Sequence, residues 1–197
     1  MCLNLAEDHI DLFGTFSAYR DAKAKVYERC QVAAIFNVAD QATIEMVEQA
    51  EVIEGCRAIG FTSGIPDISM LGVVEEFLVD RAFLANRRDA ALELAEITDL
   101  ATPAAHNISN ALAASALARA HGVDPRAIRD GLRAWQPAPH RIAQVGEVAG
   151  VNFVDDSKAT NTHAATTSLA AYESVVWIAG GMAKGQDFDE LVIANAH

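Results

Sequence analysis

The chain has 197 residues, 51% of them hydrophobic, which is enough to bury the cores of one or two domains, and it contains no apolar run of membrane-spanning length. Its formal net charge of −12 excludes the basic stripe that nucleic acids and anionic membranes require, so we expect no nucleic-acid partner and no membrane insertion. Three cysteines without CxxC spacing indicate neither a disulfide framework nor a zinc site, and the absence of a signal-peptide pattern favours a cytoplasmic protein.

The first 50 residues alternate between strand and helix patterns. Residues 1–5 are apolar and predict a strand, and Thr15 or Ser17 can cap a helix that continues to about residue 28. Residues 31–37 predict a second strand, and residues 41–49 predict a short helix. This order is typical of an α/β protein.

The middle of the chain changes to short strands separated by turn residues, and two helix patterns follow. We expect a mostly antiparallel section, then a helix over residues 107–121 and another from Asp124 and Pro125 to about residue 135. The two helices should form a hairpin. The strands are predicted at residues 57–61, 70–74, 76–79, 82–84 and 92–94.

A proline-rich segment at residues 137–139 predicts a linker, which divides the chain into domains at 1–136 and 137–197. The second domain begins with a pattern typical of a βαβ unit: a buried strand over 151–154, a helix over 162–172 and an apolar strand over 174–179. Both ends of the chain are predicted to lie inside a domain.

The polar stretch between the first strand and helix of this unit predicts a binding site. In open α/β sheets ligands bind at the carboxyl ends of strands, and here Asp156, Lys158 and Thr160 stand at that position. An Asx-type turn with a cap at Thr160 or Asn161 would explain only one or two of these residues. Lys184 follows Gly180-Gly181 at the next predicted strand end, and two lysines at adjacent strand ends indicate an anionic substrate, expected to carry a carboxylate.

Lys23 falls on the same predicted helix face as Tyr19, Val26 and Tyr27. A lysine on an apolar face can cover the core with its stem, or it can reach a ligand or metal. His9 lies among Glu7, Asp8 and Asp11, which could cradle a hard cation; an exposed loop histidine is the alternative.

Asn107 and Asn110 stand three residues apart at a predicted helix start. Their amides could contact an adenine edge, or simply cap the helix. Arg141 follows the proline linker, where it could bind a phosphate as two domains close, or form part of an ordinary solvated pair with His140.

Together these motifs resemble the Mur ligases of peptidoglycan synthesis, in particular the branch that adds D-glutamate. The specific element is DDSKATN between a strand and a helix, followed by a strand and GGxxK. The remaining matching strings are PHR, HNxxNALAA, NLAEDHID and YRDAKAKVYE. The resemblance implies an α/β chain made of part of the ATP-binding central domain and part of a Rossmann-like C-terminal domain.

In this family ATP phosphorylates a substrate carboxylate, and the amine of an amino acid attacks the acyl phosphate. The resemblance therefore implies ATP and Mg²⁺ as cofactors, with UDP-N-acetylmuramoyl-L-alanine and D-glutamate as small-molecule substrates. It gives catalytic roles to Lys23, His9 and Lys158. It implies a magnesium site at His9 and a carbamylated Lys23, adenine contacts at Asn107 and Asn110, a ribose contact at Asp156, phosphate contacts at Arg141 and Lys158, and D-glutamate contacts at Thr160 and Lys184.

The sequence also departs from the family pattern. It contains no GxxxxGK[ST] phosphate loop, so we expect a fragment that is inactive alone. Two alternatives stay open. One is another Mur or folylpolyglutamate-type ligase, and the other is a non-catalytic nucleotide-binding module.

Overall fold

The computed structural model describes residues 1–183 and 186–195. The chain divides into two compact units, Met1–Trp135 and Gln136–His197. The first unit contains a mixed sheet with helices, and the second contains a two-stranded sheet and two short helices.

The first unit is built from five helices and five strands within its 135 residues, all of which are described. Two short 3-10 turns, Lys25–Tyr27 and Ile97–Asp99, accompany them. The helices are α1 (Ile10–Phe13), α2 (Phe16–Ala24), α3 (Gln41–Glu48), α4 (Ala105–Ala120) and α5 (Pro125–Ala134); the strands are β1 (Ala33–Asn37), β2 (Arg57–Phe61), β3 (Met70–Val74), β4 (Phe77–Asp80) and β5 (Leu92–Glu96).

The sheet of the first unit has the order β1-β2-β3-β4-β5. Strand β2 runs parallel to both β1 and β3, whereas β3, β4 and β5 pair antiparallel. The prediction of a mostly antiparallel middle section is thus confirmed for β3, β4 and β5, but it missed the parallel pairing of β2 with β3. The predicted strand at residues 82–84 is wrong, because the amides of Ala82 and Phe83 bond the side chain of Asp80 and not a neighbouring strand. Residues 1–5 form only an isolated bridge, between Cys2 and Phe36.

Helix α4 packs against β1 and β2 and closes the main core. Its alanines let the helix approach the sheet closely, and Leu112 is fully buried there with Ile59, Phe61 and Leu78. Asp124 caps the next helix and Pro125 occupies its first position, as predicted.

The second unit begins with an antiparallel hairpin of β6 (Ala143–Val148) and β7 (Val151–Asp155). Ala149 and Gly150 both have positive φ, as a two-residue type I′ turn requires. Strand β6 was not predicted. Helix α6 (Thr162–Leu169) and helix α7 (Asp189–Asn195) follow, and they pack through Ala165, Leu169 and Leu191.

Two predictions about this unit are wrong. Strand β7 is exposed rather than buried, because its described partner is only β6. The predicted strand at residues 174–179 has no partner among the described residues, so it forms no ladder, and Val176 and Ile178 are each 91% exposed. In residues 1–183 and 186–195 no helix is long and apolar enough to cross a membrane.

Candidate functional site

His9 and Lys23 approach the same aromatic ring in the first unit. Thr15 caps α2 by accepting a hydrogen bond from the amide of Ala18 at 3.1 Å, which starts the helix one turn before Tyr19. The imidazole of His9 lies edge-on to the Tyr19 ring at 5.7 Å between centroids, and Nζ of Lys23 lies 5.4 Å from the ring centroid. The structure thus brings both predicted residues to one surface.

Lys23 shares the helix face of the buried Tyr19, as expected, but its side chain is exposed and Val26 does not join that face. Helix α2 ends at Ala24 and continues as a 3-10 turn, which changes the angular spacing of the residues that follow. Tyr27 therefore turns into the core, whereas Val26 is 52% exposed. Lys23 precedes this turn, and its side chain is exposed over the Tyr19 ring. An exposed amine next to a ring is accessible to solvent, dissolved CO₂ and ligands.

The acidic residues around His9 do not complete the expected cradle. Nε2 of His9 lies 3.7 Å from Oδ2 of Asp8, and both groups are partly exposed. Within the described ranges no three His, Cys, Asp or Glu side chains converge as a metal cluster. The residues present fit a magnesium ion only in part. A carbamylated Lys23 would add an oxygen donor beside the Tyr19 ring that His9 also approaches.

Asn107 and Asn110 lie in the first two turns of α4 and differ in their surroundings. The side-chain amide of Asn107 donates to the carbonyl of Thr102 at 3.1 Å, so part of its capacity is used in the loop before the helix. Asn110 is exposed, and its amide is open to a ligand. The alternative that the asparagines cap the helix is not what the structure shows, because the N-cap of α4 is Ala104 and the Asn107 side chain bonds the preceding loop.

Four further predicted residues lie at the open end of the β6–β7 hairpin. Ala143 faces Asp155 at the last rung of the ladder, so the segment before β6 and the segment after β7 leave the sheet side by side. The first segment carries Arg141. The second carries Asp156, Lys158 and Thr160.

Hydrogen bonds join these two segments beyond the last rung. A carboxylate oxygen of Asp156 accepts from the amide of Ile142 at 3.1 Å, and the amide of Lys158 donates to the carbonyl of His140 at 3.1 Å. The side chains of Arg141 and Lys158 are both exposed. Two cations and a carboxylate at one edge can bind a phosphate and a polyhydroxyl group together.

The polar stretch after β7 forms a turn. Asp155 Oδ1 accepts from the amide of Ser157 at 3.0 Å, which is the Asx-type turn, and Asn161 caps α6 by accepting from the amide of Ala164 at 2.8 Å. The alternative interpretation is therefore correct locally. The turn and the cap give no structural role to the side chains of Lys158 and Thr160, which are exposed.

Three residues near this turn were not among the predicted site residues. Nδ1 of His140 lies 2.5 Å from Oδ2 of Asp155, and Oε1 of Gln186 accepts from the amide of Thr162 at 2.8 Å. The Ser157 amide and then His140 lower the pKa of Asp155 to about 2, so this carboxylate is ionised at neutral pH. The doubled aspartate in DDSKATN was the available sequence signal for Asp155. Lys184 lies outside the described residues.

The comparisons with known proteins agree with each other. The model of the Mur ligase middle domain matches residues 1–118. The chain is 60% identical over 194 residues to the UDP-N-acetylmuramoylalanine--D-glutamate ligase of Streptomyces avermitilis, covering 98% of this chain and 42% of the relative. The protein of the same name from Streptomyces coelicolor is 61% identical, with 98% and 41% covered. The chain thus spans about two fifths of the length of these relatives.

The fold is similar to that of a solved Mur structure. The crystal structure of MurF from Acinetobacter baumannii superposes with a TM-score of 0.58 at 24% identity, covering 87% of this chain and 37% of that chain. At this identity the similarity establishes the fold alone.

Proposed function

This chain belongs to the Mur ligase family, and on that premise we propose that it is part of an ATP-dependent ligase that adds D-glutamate to UDP-N-acetylmuramoyl-L-alanine in peptidoglycan synthesis. The first unit is part of the central ATP-binding domain, and the second is part of the C-terminal domain. A cytoplasmic location follows from soluble nucleotide substrates. Identities of 60% and 61% to ligases of that name support the assignment.

The observation that carries the proposal is the grouping of Arg141, Asp156 and Lys158 at the open end of the hairpin. Nucleotide phosphates are bound well by cationic side chains on a rigid backbone. The Lys158 amide is hydrogen-bonded to the segment that carries Arg141, so the backbone at both cations is held in place. The Asp156 carboxylate keeps oxygen lone pairs beyond the one used by the Ile142 amide, and these can accept ribose hydroxyls.

The remaining residues take roles consistent with their chemistry. Asn107 and Asn110 contact adenine, and Thr160 holds the incoming D-glutamate together with Lys184, which lies outside the described residues. His9 and a carbamylated Lys23 would hold magnesium, which would supply charge stabilisation for the transferred phosphoryl group. Arg141 and Lys158 orient the phosphates, so that the carboxylate of the substrate and the γ-phosphoryl group meet in line.

A nucleotide titration of the ¹⁵N-labelled chain tests the proposed contacts. We expect MgATP to shift the amide resonances of residues 156–160 and 107–110. MgGTP should shift the resonances of residues 107–110 less, because guanine presents a different hydrogen-bonding edge from adenine. Lys25 and Glu147 report on exposed positions outside the site. Shifts confined to such positions would contradict the proposal.

A further inference from the structure

Asp155 is the charged residue of the polar stretch to which the proposed function gives no role. It ends β7, and one of its carboxylate oxygens bonds forward along the chain to the amide of Ser157 at 3.0 Å. The other oxygen lies 2.5 Å from Nδ1 of His140, which belongs to the opposite segment. The Asp155 side chain therefore stabilises the turn on its own segment and also bonds that turn to the segment that carries His140.

The segment tied in this way is strained. His140 has φ of 66° and Ile142 has φ of 50°, so a left-handed residue stands on each side of Arg141. A β-branched residue such as Ile142 adopts that conformation only when its surroundings impose it. Here the surroundings are the His140 ring bonded to Asp155, the His140 carbonyl bonded to the Lys158 amide, and the Ile142 amide bonded to Asp156.

We propose that Asp155 is a positioning residue that clasps the strained residues 140–142 against residues 156–158 and so sets the spacing between Arg141 and Lys158. The proposal deepens the proposed function and rests on it for the identity of the ligand. Without the carboxylate, the His140 ring loses its described partner and residues 140–142 relax toward ordinary φ values. The guanidinium of Arg141 then moves away from the ammonium of Lys158, and a phosphate group no longer reaches both.

The clasp is tested on the 197-residue chain by amide hydrogen exchange. Asp155→Ala removes both bonds, and Asp155→Asn keeps an oxygen for the Ser157 amide but removes the charge beside His140. We expect exchange at the Ile142 and Lys158 amides to accelerate roughly tenfold in the alanine variant and less in the asparagine variant, by analogy with other charged hydrogen bonds. Glu147→Gln removes an exposed carboxylate from the same hairpin and should change neither amide. Unchanged exchange in Asp155→Ala would overturn the proposal.

The effect on the ligand is measured by titrating the same variants with MgATP. We expect Asp155→Ala to raise the Kd for MgATP roughly tenfold and Glu147→Gln to leave it unchanged. The thermal midpoint should not change in Glu147→Gln, because Glu147 is exposed, and should fall only slightly in Asp155→Ala, because the Asp155 side chain is 29% exposed. Equal Kd values for Asp155→Ala and the parent would overturn the positioning role. If the parent chain itself bound no MgATP, the proposed function would be contradicted, and the exchange rates alone would decide whether the clasp exists.

Discussion

Nε of Arg119 on helix α4 donates to Oδ2 of Asp80 on strand β4 at 2.9 Å, and the Asp80 side chain is fully buried. The other carboxylate oxygen accepts from the amides of Ala82 and Phe83, at 2.7 and 2.9 Å. A buried charge is tolerated only when its hydrogen-bonding capacity is met, and here three donors meet it. This ion pair fixes helix α4 to the sheet. The same helix carries Asn107 and Asn110.

Asp80→Ala should destabilise the first unit by about 3–5 kcal/mol, because it leaves the largely buried guanidinium of Arg119 without its carboxylate. Urea denaturation followed by circular dichroism measures the loss. Asp89→Ala, which removes an exposed carboxylate, should change the free energy of unfolding by less than about 0.5 kcal/mol. Similar effects of the two substitutions would show that the ion pair does not stabilise the fold.

The hydroxyl of Tyr27 joins the first residues of the chain to the sheet. It accepts from the amide of Cys2 at 2.9 Å and donates to the carbonyl of Ile35 at 2.8 Å, and the side chain is 1% exposed. Burial raises the pKa of Tyr27 to about 12, whereas a tyrosine in the unfolded chain ionises near pH 10. The unfolded state therefore loses this proton first as the pH rises.

It follows that the contribution of Tyr27 is complete below about pH 10 and is lost as the pH rises toward 12, at up to about 1.4 kcal/mol per pH unit. Tyr27→Phe should lower the free energy of unfolding at pH 8 by about 1–2 kcal/mol and make its decline above pH 10 shallower. Urea denaturation between pH 8 and 11 checks this, with Tyr172→Phe as the exposed control. Equal slopes for Tyr27→Phe and the parent would contradict it.

Much of the first unit could be predicted, because its local signals agree with its packing. Thr15, Asp40 and Asp124 cap the helices that follow them, and the apolar runs of β1 and β2 form the predicted strands. The predicted segment 82–84 failed because an aspartate side chain, Asp80, replaced a strand as the partner of the backbone. Side-chain competition of this kind leaves no periodic signal.

The second unit was harder to predict because strands depend on partners. Residues 174–179 have the composition of a buried strand, yet composition does not supply a neighbour to pair with. In the candidate site, residue types identified Asp156, Lys158 and Arg141, but the contact between His140 and Asp155 depends on the hairpin register, which joins positions 15 residues apart. Such pairs become visible only in three dimensions.

Lys23 should form a carbamate, because its amine is exposed beside Tyr19 and His9. Incubation with ¹³C-bicarbonate should give a carbamate carbon signal that Lys23→Ala abolishes and that added Mg²⁺ strengthens. Lys25→Ala is the matched control, since Lys25 is also exposed and lies next to the same helix. A carbamate signal that survives in Lys23→Ala and disappears in Lys25→Ala would assign the carbamate to Lys25 and contradict the prediction.

Substitutions of the two asparagines of α4 should differ in their effect on stability. Asn110→Ala should weaken MgATP binding roughly tenfold and leave the thermal midpoint unchanged, because Asn110 is exposed. Asn107→Ala should weaken binding and also cost about 1 kcal/mol, since it removes the donor to the Thr102 carbonyl. Calorimetric titration and thermal unfolding of both variants check this. Loss of stability in Asn110→Ala but not in Asn107→Ala would contradict the structural role given to Asn107.

We propose that this chain supplies the nucleotide and D-glutamate contacts of a D-glutamate ligase. The most direct measurement uses a chimera in which this chain replaces the matching segment of the Streptomyces coelicolor relative, with phosphate release followed in the presence of UDP-N-acetylmuramoyl-L-alanine and MgATP. We predict release that depends on D-glutamate, is not supported by L-lysine or diaminopimelate, and is lost in Lys158→Ala but kept in Lys25→Ala. A folded chimera that releases no phosphate with D-glutamate, or that prefers another amino acid, would contradict the account.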